Sequence, residues 1–181
     1  MSQTLTPALA EAIKHIGVAE VGSTNSSPVI DGWTKALVNS PIVPAWLRNQ
    51  PWCGTFVASC LKKSGMTKSP SEAITQGNQY PHHWYRAAAY KSEPKRLKKP
   101  AYGCVAVKAR SGGNHVFFVV GITPQGKLVG LGGNQSNKVC YALFEQKDLE
   151  FFWYGKTNTP LTERYNLPII KNVTATNLAE S

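Results

Sequence analysis

The sequence is poor in acid, in long apolar runs and in clustered cysteine, and each shortage excludes something. Its longest apolar runs, such as VFFVVGI at 116–122, fall far short of the roughly 20 residues that cross a bilayer, so no membrane span is expected. The opening MSQTLTPALAEAIKHIG has no basic segment leading into an uninterrupted apolar one. We therefore expect synthesis in the cytoplasm without a cleavable signal. No C-x-x-C pair occurs among the four cysteines, 53, 60, 104 and 140, and His82 and His83 have no third ligand at metal spacing. A structural zinc is not expected, nor any cofactor. Two disulfides are arithmetically open, but a chain of 181 residues does not need them, and reduced, mostly buried thiols are expected. No repeat period or low-complexity tract is found.

Acidic residues number 10 against 20 Lys and Arg, leaving a net charge of +10. The excess is local, with nine basic and two acidic residues in 51–100. Within it KSEPKRLKKP (91–100) carries Lys91, Lys95, Arg96, Lys98 and Lys99 on what reads as a loop. Such a patch suits an anionic partner: a cell-wall polymer, anionic lipid or nucleic acid. A solvated loop with no partner is an equal reading. No strand carries the alternating aromatic and basic face of a nucleic-acid binder, so nucleic acid is not the expected partner.

What is present reads as helices first and strands second. Residues 7–18 place Leu9, Ile13 and Ile16 at helical spacing after a proline suited to the first turn, with an end near Gly17. Residues 29–38 read as a second helix. In PWCGTFVASCLKKSG, Cys53, Phe56, Val57, Cys60, Leu61 and Ser64 recur as one buried stripe, and Gly65 suits the position after the helix. From Pro100 the period becomes two. YGCVAV (102–107), HVFFVVGI (115–122), KLVGLGG (127–133), VCYALF (139–144) and FFWYG (151–155) read as five strands. TPQG joins the second and third in a hairpin. The expectation is an α+β domain over 1–155, helices packed on an antiparallel sheet of about five strands, with 156–181 an extension that packs on it or frays.

Cys53 falls in the first turn of its helix, where unpaired N–H groups and the helix dipole stabilise a thiolate. Cys60, two turns in, reads as core. A thiol nucleophile needs a base, and the base a third group to hold its tautomer. Of the four histidines, His115 opens the strand HVFFVVG, sharing its face with Phe117 and Val119. If that face meets the Cys53 helix, His115 reaches the sulfur. Asn134, at the end of the next strand in GLGGNQS, then supplies an oxygen to the imidazole, with Gly132 and Gly133 allowing close approach. Cys, His, Asn in that chain order is the arrangement of papain-like hydrolases. A buried structural cysteine, a core histidine and a turn asparagine are the plain readings of the same residues.

PWCGTFVASCLKKSG, PAYGCVAV, NHVFFVVG and LGGNQSNKV together resemble a family of bacterial and phage peptidoglycan hydrolases related to the NlpC/P60 and CHAP groups. The opening IGVAEVGSTNSSPVI resembles the same family, and the likeness runs from about residue 10 to about 155. It implies a papain-like fold and a cysteine peptidase or amidase acting on peptidoglycan. Cys53 would be the nucleophile, His115 the general base and then acid, and Asn134 the orienting residue. An endopeptidase is favoured over an N-acetylmuramoyl-L-alanine amidase. The Cys53 N–H would meet the oxyanion with Gln50 as a second donor, and Trp52 would wall the cleft. Phe117 stands where the family usually has glycine, which implies a narrower or more apolar cleft. The basic run would hold the enzyme on the anionic wall. Action in the periplasm or wall without a signal implies delivery by a phage or a contractile secretion system, the latter with a cognate immunity protein. A catalytically silent wall-binding module, a basic nucleic-acid binder, and transfer of the same thioacyl group to an amine are the alternatives.

Overall fold

The computed structural model describes residues 3–22, 24–65, 83–91, 93–155 and 161–173. Thr6 and Ser27 start α1 (Pro7–Ile13) and α2 (Pro28–Val38) in the same way, each accepting from a backbone N–H three residues on, with a proline as the first helical residue. α1 stops short of Gly17, because residues 14–17 tighten into turns that bring Gly17 N–H to the Val139 carbonyl. α2 ends at Asn39, which takes the left-handed cap conformation with φ 50°.

α3 (Cys53–Lys63) is buried without interruption from Cys53 to Leu61. A single inward stripe is what the periodicity predicts. The helix is instead enclosed, because α1 and α2 cover its remaining faces and the small residues Ala58 and Ser59 allow it. Glu11 ties α1 to α3: its carboxylate bonds the ammonium groups of Lys63 and Lys14 and meets His15, and these hold it down to about 2.

The six strands are β1 (Arg96–Leu97), β2 (Val105–Arg110), β3 (Gly113–Ile122), β4 (Leu128–Gln135), β5 (Lys138–Phe144) and β6 (Leu149–Phe152). They form one antiparallel sheet in the order β1-β6-β2-β3-β4-β5. The α+β class is therefore as expected, and the extra strand, β1, lies inside the basic run that reads as a loop. Period-two alternation gives the sheet two apolar faces. Val105, Val107, Val116, Phe118, Val120 and Leu131 pack with the helices. Ala106, Phe117, Val119, Leu128 and Phe144 form a second cluster on the opposite face.

That second face is covered partly from the C-terminal extension, through Leu161, Tyr165 and Leu167. α4 (Leu161–Arg164) ends in a fully buried arginine, whose Nη1 donates to the carbonyls of Thr4 at 3.0 Å and Tyr102 at 3.4 Å. In the stretch that follows, Ile122 N–H donates to the Pro168 carbonyl and Ile170 N–H to the Ile122 carbonyl. The rest of the extension, 156–160 and 174–181, lies outside the described residues, as does His82. Among the described residues no helix is long and apolar enough to cross a membrane.

Candidate active site

α3 begins at a cap residue, Trp52, that makes no side-chain capping bond. The first intrahelical bond runs from Phe56 N–H to the Trp52 carbonyl at 2.9 Å. The N–H groups of Cys53, Gly54 and Thr55 thus have no acceptor within the helix. Trp52 itself is held fast: it is 2% exposed, and its indole Nε1 donates to Glu20 Oε1 at 2.7 Å. A Cβ added at Gly133 of β4 would lie 2.6 Å from both the Trp52 ring and Phe56 Cβ. Only a glycine lets β4 come so close to the start of α3.

The sheet opens at this point. The β3–β4 ladder runs from Ile122↔Leu128 to Phe118↔Leu131 and ends there, whereas β2 stays paired to β3 down to Arg110↔Gly113 and β5 to β4 down to Gln135↔Lys138. His115–Phe117 and Gly132–Gln135 therefore flank a gap in one continuous sheet. The sulfur of Cys53 lies at that gap, beside His115 and the backbone N–H of Val116, both of which favour its thiolate.

The route by which histidine meets cysteine differs from expectation. The face with His115, Phe117 and Val119 does not pack on α3; Val116, Phe118 and Val120 do. His115 lies on the other side, stacked on Phe117 with ring centres 5.7 Å apart and against Phe144 at 6.0 Å. It reaches the sulfur because the ladder has ended, so the tip of the helix rather than its flank meets the strand. Phe117 is likewise not a wall of the cleft. It is fully buried behind His115, in space left by Gly130 and Gly132, and stacks on Phe144 at 3.9 Å.

The third member is Gln135. His115 Nε2 lies 3.1 Å from Gln135 Oε1, and Gln135 Nε2 donates to the Cys140 carbonyl. A carbonyl only accepts, so the amide's NH₂ end is fixed on Cys140 and its oxygen on the imidazole. His115 Nε2 must then carry the proton, which leaves Nδ1 for the sulfur. Asn134, expected in this role, is half-buried with φ 58°, and the β4–β5 register shifts between Gly132 and Gln135. In an unbroken strand residue 134 would share a face with 132. The left-handed residue breaks the alternation, and Gln135 takes the place beside Gly132, where an added Cβ would lie 2.7 Å from Gln135 Oε1.

Burial pushes the Cys53 thiol up, but the His115 hydrogen bond and charge, the Val116 N–H and the Arg110 charge outweigh it, and the thiol ends below its ordinary value. Cys60 and Cys104 lack such partners; burial raises both, Cys104 to about 12. Of these three thiols only Cys53 is poised as a nucleophile.

Gln50 is exposed and, with Pro51 and Trp52, lines a cleft of about 570 Å³ between α2, the 42–50 segment and α3, whose lining includes neither Cys53 nor His115. The basic run lies elsewhere. β1 is separated from β3 by β6 and β2, about 14 Å at the usual interstrand spacing. Lys91 pairs with Glu150 at 2.5 Å, and Arg96 with Glu150 at 3.2 Å and Glu93 at 2.8 Å. Lys95, Lys98 and Lys99 are exposed, Lys99 over the Tyr165 ring.

Sequence reasoning missed Gln135, Val116 and Glu20. The signal for the first was the run GGN, where two glycines and an asparagine mark a bulge that shifts the face of whatever follows. No family model, curated protein or solved structure matches the chain.

Proposed function

We propose that the protein is a cysteine peptidase or amidase of papain-like fold that hydrolyses an amide bond of peptidoglycan. The observation that carries the chemistry is the chain Cys53–His115–Gln135, with the thiol drawn below its ordinary value. The wall substrate rests on the motif resemblance.

The Cys53 thiolate attacks the amide carbon, and the carbonyl electrons move onto oxygen. The unpaired Cys53 N–H at the start of α3 receives that oxyanion, with Gln50 at the cleft wall as the second donor. The imidazolium of His115 gives its Nδ1 proton to the departing amine as the C–N bond breaks, leaving a thioester on Cys53. His115, now neutral, takes a proton from water, whose oxygen displaces the sulfur and frees the acid. Through both steps Gln135 accepts from Nε2–H and holds the ring in one orientation. The exposed lysines at the β1 edge would hold the enzyme on the anionic wall. Its place of work would be the periplasm or wall, reached by phage or secretion-system delivery.

The test is to incubate isolated sacculi with the protein and with Cys53→Ala, and to read released fragments by mass spectrometry. Fragments from the parent alone support the reading, and their masses identify the bond. Release by neither, with both proteins folded and bound to the wall, leaves a silent binding module.

A further inference from the structure

The chain that leaves α1 is fastened to the outer edge of β5. Gly17 N–H donates to the Val139 carbonyl at 2.9 Å, Val139 N–H to the Val18 carbonyl at 2.7 Å, and Glu20 N–H to the Asn137 carbonyl at 2.9 Å. An antiparallel bridge pairs Ala19 with Lys138 between them. The last of these bonds reaches the turn at Ser136 and Asn137, two residues of positive φ that directly follow Gln135. The backbone of Glu20 is thereby fixed to the turn beside the orienting amide.

The side chain of Glu20 is fixed to something else. Its Oε1 accepts the indole Nε1–H of Trp52 at 2.7 Å. An indole has one donor, so this is the single polar handle of a side chain only 2% exposed. Gly133 of β4 closes on the same ring, since a Cβ there would lie 2.6 Å from it. Trp52 is also the cap residue of α3 and makes no side-chain capping bond. The carboxylate therefore ties down a helix start that has no side-chain cap, and the next residue is the nucleophile. One residue holds the turn after Gln135 by its backbone and the residue before Cys53 by its side chain.

We infer that Glu20 is a positioning residue, which sets Cys53 against the His115–Gln135 pair by tying Trp52 to the β4–β5 turn. The inference rests on the hydrolase reading for its effect on turnover, and deepens it. A hydrogen bond to a charged acceptor is stronger than a neutral one and more exacting in geometry. A misplacement of about 1 Å at a reacting centre can cost about 10²-fold in rate.

The experiment compares E20A, E20Q, W52F and the double variant E20A/W52F by two readouts. One is fragment release from isolated sacculi over a range of sacculus concentrations; the other is the iodoacetamide rate of Cys53 against pH. E20A should lower the saturating rate about tenfold or more with half-saturation unchanged. It should also move the alkylation midpoint upward, as the sulfur shifts away from His115 and the Val116 N–H that favour its thiolate. E20Q keeps an oxygen that accepts from the indole and should match the parent in both readouts. On the W52F background, where no indole N–H exists, E20A should add little. Equal losses from E20A on the two backgrounds would overturn the inference, because Glu20 would then act other than through Trp52. So would a midpoint that E20A leaves in place, or an E20Q as impaired as E20A. A parent that releases nothing from sacculi, but whose midpoint moves with E20A and not with E20Q, would end the hydrolase reading and leave Glu20 as the residue that positions the thiol.

Discussion

Gln135 holds the His115 ring at one nitrogen, with 3.1 Å between Oε1 and Nε2, while the far end of the same amide is tied to the Cys140 carbonyl. The tautomer of the histidine is thereby set from a neighbouring strand, by a side chain with no freedom to turn over. Removing it should leave the nucleophile and base in place but let the ring rotate. Gln135→Ala is expected to lower kcat on the order of 10²-fold, within the usual range for a proton-transfer contribution. Asn134→Gly should keep full activity, since residue 134 supplies a left-handed backbone and not a ligand. Steady-state assays on both variants decide between the two neighbours, and a dead Asn134→Gly with a live Gln135→Ala would reverse the assignment.

Of Cys53, Cys60 and Cys104, only Cys53 should be modified by a small alkylating agent below the ordinary value of 9.0. The sign is fixed by its partners: His115 and the Val116 N–H favour the thiolate, so the reactive form persists as pH falls and is lost only through the depressed value. The stability this shift contributes is present above the unfolded value and disappears over the same descent. Cys60 and Cys104, raised by burial, should stay inert over that range. Iodoacetamide rates against pH, with the site read by mass spectrometry, give the midpoint, and Gln135→Ala should move it upward.

Gly133→Ala tests the close approach of β4 to α3. The added carbon would meet Trp52 and Phe56 at 2.6 Å, so the helix start must shift. Overpacking of this kind costs typically about 1–3 kcal/mol, which a core can absorb and still fold. Thermal melts should show a folded, weakened protein, while activity should fall further than stability, because Cys53 follows Trp52 in the chain.

The basic run divides by partner. Replacing Lys95, Lys98 and Lys99 with glutamine should reduce retention on sacculi several-fold at low salt and by less at high salt. Lys91→Gln should have little effect on retention, as its charge is already matched by Glu150. Pull-down across a salt series separates the two sets, and equal losses from both would mean that bulk charge alone attracts the wall.

The strands after Pro100 were legible because period-two runs bounded by turn residues have few other solutions, and Cys53 and His115 because each stands at the start of a clearly patterned element. β1 was not, since two residues show no period and their pairing with Phe151 and Phe152 is set by a distant strand. Asn134 reads as the orienting amide from the strand-end run GGNQS and the family motif, and one positive φ at that position brings the next side chain, Gln135, to the imidazole instead. Burial of α3 on all sides was hidden for another reason: Thr55 and Ser59 look solvent-facing until α1 and α2 are laid over them. The Glu20–Trp52 bond joins residues 32 apart, and nothing local in either segment announces it.

The gap between β3 and β4 sets a limit on improving this protein. Past Phe118↔Leu131 the strands no longer bond one another, and Val116 and Gln135 face the sulfur and the imidazole instead. Directed evolution for heat resistance would find gains by zipping those strands together, and every such gain would expel the helix tip from its place. Thermostable, inactive clones with an extended ladder are therefore the expected product of selection on folding alone, and screens for robustness must read turnover at each round.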